Sequence, residues 1–317
     1  LGGSVRALDR ALRAGYPAMM RRLAVLSATL ALTARPLAAQ LVPGRDLLAF
    51  PLGLTAEAPA LGTTAGFGIW NAASVAIPVG SRLRMAVGTM SAPVDLAVSA
   101  QLATVAARLG DGTTIGLSVV SASVADLVRT ESDPQSIGDE IPYSTMLLSA
   151  LAAREVRGVT VGAALRLRTG HSDSERRSAV SVDVGATSRG LGRRDVRLAA
   201  STFLASPAGR RQERMALLAA VDVRLAGFDS LRTSRGGVSV MVADGLSREE
   251  YGFVGARWGR LEGRVGGART QAYWRTNWRA RLGIAFHHQG YAIGIAREES
   301  AGNLSATYQF SVSSLLR

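Results

Sequence analysis

Trp278-Arg279-Ala280-Arg281-Leu282-Gly283-Ile284-Ala285-Phe286 decides the fold. Trp278, Ala280, Leu282, Ile284 and Phe286 share one parity, while Asn277, Arg279, Arg281, Gly283 and Ala285 share the other. Leu304, Ala306, Tyr308, Phe310 and Val312 alternate in the same way with Ser305, Thr307, Gln309 and Ser311. Successive strand side chains point to opposite faces, so each such segment has one apolar and one polar side. The pattern returns in nearly every segment after about residue 80. Many such segments behind an export signal point to an all-β fold, a closed antiparallel transmembrane β-barrel in a bacterial outer membrane, apolar outside and polar inside.

Working outward, strands are expected at about 82–90, 94–108, 113–122, 144–156, 158–169, 177–188, 194–205, 213–226, 236–243, 248–258, 260–272, 276–287, 289–298 and 303–313. That is about 14, an even number that closes without leaving an edge in lipid. Gly110-Asp111-Gly112, Arg157-Gly158, Gly259-Arg260 and His288-Gln289-Gly290 read as hairpin turns. The longest connection, from Asp126 to Pro142, is acidic and polar, and its spacing matches no EF-hand loop. A secreted β-sandwich alternates as well. Long, numerous strands with aliphatic or aromatic residues on one parity favour the membrane.

Composition agrees. The chain has 317 residues, 47% hydrophobic and 19% charged, with a mean hydropathy of +0.16, and no apolar run reaches the roughly 18–20 residues of a spanning helix. The net charge of +13 invites a nucleic-acid reading. However, all 37 basic residues are arginine, and the segment before residue 40 holds six of them against Asp9 alone, which leaves +8 for the rest. The remaining arginines are spread along the strands, with no basic helix or aromatic-interleaved patch, so nucleic acid is not expected as a partner. With no cysteine, thiolate metal sites, Cys nucleophiles and lipoprotein anchors are excluded.

Met20-Arg21-Arg22 followed by Leu23 to Leu32 reads as a secretory signal, with a small-residue exit at Leu37-Ala38-Ala39 and cleavage before Gln40. The expected organisation is therefore a leader extension at 1–19, a signal peptide at 20–39, an N-terminal lead-in at 40–78 and the barrel at 79–317. Within the lead-in, residues 41–62 read as extended and residues 62–78 as compact and small-residue-rich.

On the polar parity lie Arg166 and Arg168, Asp183, Asp195 and Arg197, Asp222 and Arg224, and Arg279 and Arg281. An arginine at the midplane of the lipid face costs roughly 2–4 kcal/mol, so these charges are expected to line the lumen. Opposite signs on neighbouring strands suggest ion pairs that fill or brace it; the other reading is a basic selectivity ladder. Enzymatic constellations are poor. His171, His287 and His288 are the only histidines; no serine is marked as a partner for them, and neither a cofactor nor a metal is expected.

Ala65-Gly66-Phe67-Gly68-Ile69-Trp70-Asn71-Ala72-Ala73-Ser74-Val75-Ala76 resembles the aromatic-Asn-Pro-Ala-Gly-Leu-Ala element of the long-chain fatty-acid transporter (FadL-like) superfamily, most closely its PorV/PorQ-type barrels. Trp70 and Asn71 stand at the aromatic and Asn positions, and Ala72 stands where the family has proline. Residues 112–118, 159–166 and 178–186 resemble later strands of that branch. The resemblance implies a barrel of 14 strands whose N-terminal segment folds inward as a plug. It further implies passage or binding of small hydrophobic solutes, with the lipid bilayer as surroundings. For the PorV-type branch it implies instead a non-transporting, structural role beside a secretion machine.

Overall fold

The computed structural model describes residues 42–49, 56–62, 64–92, 97–125, 127–129, 140–205, 215–227, 232–243, 247–272, 275–299 and 306–317. The expected leader extension, signal peptide and cleavage point lie outside them, as does most of the acidic connection after Asp126.

Fourteen antiparallel strands close on themselves, each paired with its sequence neighbours and β1 with β14. They are β1 (Leu83–Ser91), β2 (Val98–Arg108), β3 (Thr114–Val124), β4 (Tyr143–Val156), β5 (Val159–Ser172), β6 (Glu175–Ser188) and β7 (Arg197–Phe203). The second half comprises β8 (Ala216–Ala226), β9 (Arg232–Ala243), β10 (Ser247–Trp258), β11 (Leu261–Ala272), β12 (Arg275–His288), β13 (Tyr291–Glu298) and β14 (Thr307–Leu316). Closure satisfies every ladder without an open edge, which separates this fold from a sandwich.

The alternation sets the inside and the outside. Leu282, Ile284, Phe286, Tyr308, Phe310 and Val312 are exposed on the outer wall, while Arg281, Ala285, Thr307, Gln309 and Ser311 are buried. Exposed aromatics of the wall, Trp258, Trp278, Phe286, Tyr291, Tyr308 and Phe310, all lie on β10 to β14. The ends of several strands differ from the sequence reading by up to four residues, two of them for a visible reason. The seventh strand is shorter than expected, because its first residues form the 191–196 turn closed by the Leu191–Val196 bridge. The ninth begins earlier, at Arg232, because Gly236 and Gly237 lie inside its ladder opposite Val223 and Asp222.

Two tight turns at one rim share a backbone signature. Arg157 and Gly158 both have positive φ (51° and 83°), as do Gln289 and Gly290 (45° and 87°), the signature of two-residue turns that match strand twist. Nothing lies within 4 Å of a Cβ built on Gly158. Gly158→Ala is therefore expected to cost only the left-handed backbone penalty, about 1 kcal/mol, read as a lower urea midpoint of the folded barrel. The two longest connections, residues 125–142 and 204–215, leave the opposite rim. Short turns face the periplasm and long loops the exterior in barrels of this kind.

Candidate functional site

Inside the barrel lies the segment before β1. It is irregular, with short 3₁₀ turns at Asp46–Ala49, Pro59–Leu61 and Ala72–Val75, so most of its carbonyls have no helix or sheet partner. Such backbone is tolerated at membrane depth only where protein or water satisfies it. Wall side chains do so here. Arg168 donates to Val42 O and Pro43 O, both at 2.9 Å, and the Tyr251 hydroxyl donates to Ala56 O at 2.7 Å. Arg166 donates to Ile69 O at 2.6 Å and Ser201 to Trp70 O at 2.8 Å. Nearer the turn rim, Arg84 donates to Ser74 O at 3.1 Å and Arg108 to Ile77 O at 3.0 Å.

Trp70 and Asn71 sit at the middle of this plug. Asn71 is fully buried; its amide donates to Ala60 O at 2.8 Å and to Ala186 O on the wall at 3.3 Å, and its Oδ1 accepts from Ala73 N at 3.0 Å. That cap closes the Ala72–Val75 turn without the proline of the resembled family. Trp70 packs against Phe203 of β7 with ring centroids 4.6 Å apart.

Wall glycines make room for the plug. A Cβ on Gly162 would lie 2.5 Å from the backbone of Ala72 and Ala73; one on Gly185 would lie 2.0 Å from Asn71 Oδ1, and one on Gly170 2.1 Å from Pro43 O. The sequence shows these glycines only as gaps in an alternating pattern, which does not distinguish a seat from a bulge.

All nine charged residues singled out from the sequence face inward or sit at the lumen end. Arg166 pairs with Asp183, both essentially without solvent exposure, and Arg166 also donates to Ser149 Oγ at 3.1 Å. Arg168 is buried against the plug. Arg197 pairs with Asp222 through Nε at 2.9 Å, and Arg224 with Asp195 at 2.6 Å. Arg235 joins these two pairs, reaching Asp195 at 2.5 Å and Asp222 at 2.8 Å. Burial opposes ionisation of Asp195, in the turn before β7, but its bonds to Arg235 and Arg224 outweigh this and hold its carboxyl below the ordinary range. Arg279 and Arg281 share Glu249 and Glu298, with Arg279 at 2.6 and 2.5 Å and Arg281 at 2.9 Å from Glu249.

Sequence reasoning missed Glu249, Glu298, Arg235 and a fourth cluster that joins plug to wall. There Glu57 accepts from Thr64 and pairs with Arg264 at 3.1 Å, while Glu262 pairs with Arg264 and lies 2.8 Å from His287. Glu249 and Glu298 each stand beside a second glutamate in sequence, which masks the alternation, and Glu57 lies in the aperiodic lead-in. One expectation is corrected: charges are not confined to the lumen. Arg248, Glu250 and Arg269 are on the outer wall, near the loop rim at the level of Trp278, where the cost of a charge falls to about 0–1 kcal/mol.

The lumen is also less polar than expected. Its loop-side half holds a buried apolar cluster with Met90, Leu102, Val120, Leu147, Leu218 and Phe253 from the wall and Leu61, Ile69 and Trp70 from the plug. Below the plug, at the turn rim, opens a polar vestibule of about 760 Å³ bordered by Arg84, Arg257, Arg260, Arg264, His287 and His288.

No known protein family matches the chain, and no curated protein is similar to it at a significant level. The Pseudomonas putida toluene transporter TodX superposes with a TM-score of 0.54 at 11% identity, covering 87% of this chain and 98% of that one. A TodX deltaS2S3 mutant, described as a monoaromatic hydrocarbon channel, gives a TM-score of 0.50 at 11% identity over 77% and 91% of the chains. OprB from Pseudomonas putida gives 0.42 at 9% identity over 74% and 92%. The fold is that of an outer-membrane β-barrel. At this identity the likeness concerns the fold alone, and it does not single out the PorV/PorQ-type branch.

Proposed function

We propose that this barrel passes or binds small hydrophobic solutes at the bacterial outer membrane, with no cofactor and no covalent chemistry. The observation that carries this reading is the apolar loop-side half of the lumen, where a water-filled porin would present polar groups. The plug packs on this apolar wall and blocks a straight axial route, so a solute takes the plug's place against the wall before it moves on. The seam beside Trp70 and Phe203 is the thinnest part of the wall. There β6 and β7 pair only over Gly185–Thr187 and Ala199–Ser201, and hydroxyls of Thr202 and Ser188 take over as acceptors from Val184 N and Leu198 N. An apolar solute entering the loop-side half meets that seam, and the ion-paired polar vestibule lies beneath the plug. The named neighbours TodX and its mutant are described as a toluene transporter and a hydrocarbon channel, which supports this class over a secretion-associated role.

The test compares the refolded protein with a variant lacking residues 41–78, by planar-bilayer conductance and by uptake of a hydrophobic fluorophore into proteoliposomes. Uptake by the intact protein and a large rise in conductance on deletion are expected. Absence of both uptake and conductance in either form would sink the channel reading.

A further inference from the structure

The outer wall carries a groove of about 760 Å³ across β7 to β12, on the loop side. Its floor is a glycine pair. Gly252 and Gly267 stand opposite each other in the β10–β11 ladder. Their neighbours Tyr251 and Ala268 are buried in the lumen, so both glycines present the outer face. A Cβ on either would meet nothing within 4 Å. Glycine weakens a strand interior, and a pair of them with open space above marks a place where another molecule approaches the backbone closely. Val221, Val238 and Val240 make one apolar side.

Charge closes the groove at its loop end. Glu250, Arg269 and Trp278 form one cross-strand row, and Arg248 lies beside it. Glu250 is shared by two guanidinia, at 2.7 Å from Arg248 and 3.5 Å from Arg269, all three being partly exposed. One carboxylate thus faces two arginines on a surface whose solvent is lipid. An exposed Trp at this height marks the boundary of the bilayer, where headgroups lie. The planar fork of arginine fits phosphate oxygens two at a time.

We propose that this groove binds a lipid of the outer leaflet whose phosphate headgroup carries net negative charge, with an acyl chain over Gly252 and Gly267 and the phosphate between Arg248 and Arg269. Trp278 flanks the headgroup. The lipid fills the concavity left by the glycines and balances the surplus positive charge. It is a site on the membrane side of the wall, separate from any route through the lumen.

Native mass spectrometry of the full-length refolded protein, released from micelles holding equal amounts of lipid A and phosphatidylcholine, tests this. Lipid A adducts are expected to survive and phosphatidylcholine to be lost. R248A/R269A is expected to weaken lipid A retention roughly 25-fold, at ~5-fold for each arginine near a lipid surface. G252W places an indole in the groove from a position where an added Cβ meets nothing within 4 Å, and is expected to lose the adduct with both arginines intact. Heat-modifiable gel mobility shows that each variant is folded. Equal retention of the two lipids, or wild-type retention by R248A/R269A, would overturn the headgroup assignment; wild-type retention by G252W would overturn the acyl seat.

Discussion

Replacing Asp183 by asparagine is expected to lower the stability of the folded barrel by about 3–5 kcal/mol, the usual loss when one partner of a buried ion pair is removed. The pair is closed to solvent on both sides, with Arg166 and Asp183 at 0% and 1% side-chain exposure. Arg166 cannot turn to water, because its guanidinium lies among Ser149, the Ile69 carbonyl and the face of Phe203. Asp183 also accepts from Ala205 N at 2.8 Å, so the substitution disturbs the β6–β7 seam where the ladder is already short. Arg166→Met is expected to cost a similar amount, since it leaves Asp183 charged and the Ile69 carbonyl without a donor. The double variant Arg166→Met, Asp183→Leu should lose much less than the sum of the two, because replacing both charges removes the desolvation penalty along with the attraction. Urea unfolding of the three variants in lipid vesicles measures this. Additive losses would show that the two residues act separately.

That pair also shows what the sequence made legible. Parity placed Arg166 and Asp183 on the polar side of adjoining strands, and a lipid-facing charge is costly enough that the lumen was the only reasonable place for them. The outer wall followed from the same rule, residue by residue, from Trp278 to Phe286. The hairpins were legible because Arg157-Gly158 and Gln289-Gly290 need positive φ at two successive positions. The plug's interactions were not. They join residues about a hundred positions apart, such as Ile69 with Arg166 and Val42 with Arg168, and they run to backbone carbonyls, which every residue carries alike. Parity was also silent on how polar the lumen is. Met90, Leu102, Val120 and Leu147 face inward because the plug supplies them with apolar partners, so the inner side of those strands reads no differently from an outer one. Arg248, Glu250 and Arg269 mislead in the opposite sense, because the cost of a charge depends on depth in the bilayer and a strand pattern carries no depth.

The glycine seats give the plug its second and more direct test. Gly162→Leu places new atoms in the backbone of Ala72 and Ala73, and Gly185→Val places them on the Asn71 amide. The collision at Gly162 is with backbone, which stands 2.5 Å from the first added carbon, whereas that at Gly185 is with the side-chain oxygen of Asn71. A β-branched or larger aliphatic residue suits the strand itself, and β5 and β6 keep a ladder of paired residues from Val159–Ser188 to Ser172–Glu175. The wall therefore has reason to hold while the plug must move. Asn71 would lose its bond to the Ala186 carbonyl and Trp70 its place against Phe203, and with them the Ile69 carbonyl would leave Arg166. Single-channel recordings of Gly162→Leu are expected to show conductance approaching that of the variant lacking residues 41–78, with the heat-modifiable mobility of a closed barrel unchanged. Gly263→Ala, on the outer face with nothing within 4 Å of its Cβ, should record like the parent protein. A Gly162→Leu channel as quiet as the parent would mean that the plug shifts within the lumen without opening it, and the apolar cluster on its loop side would then be what seals the barrel.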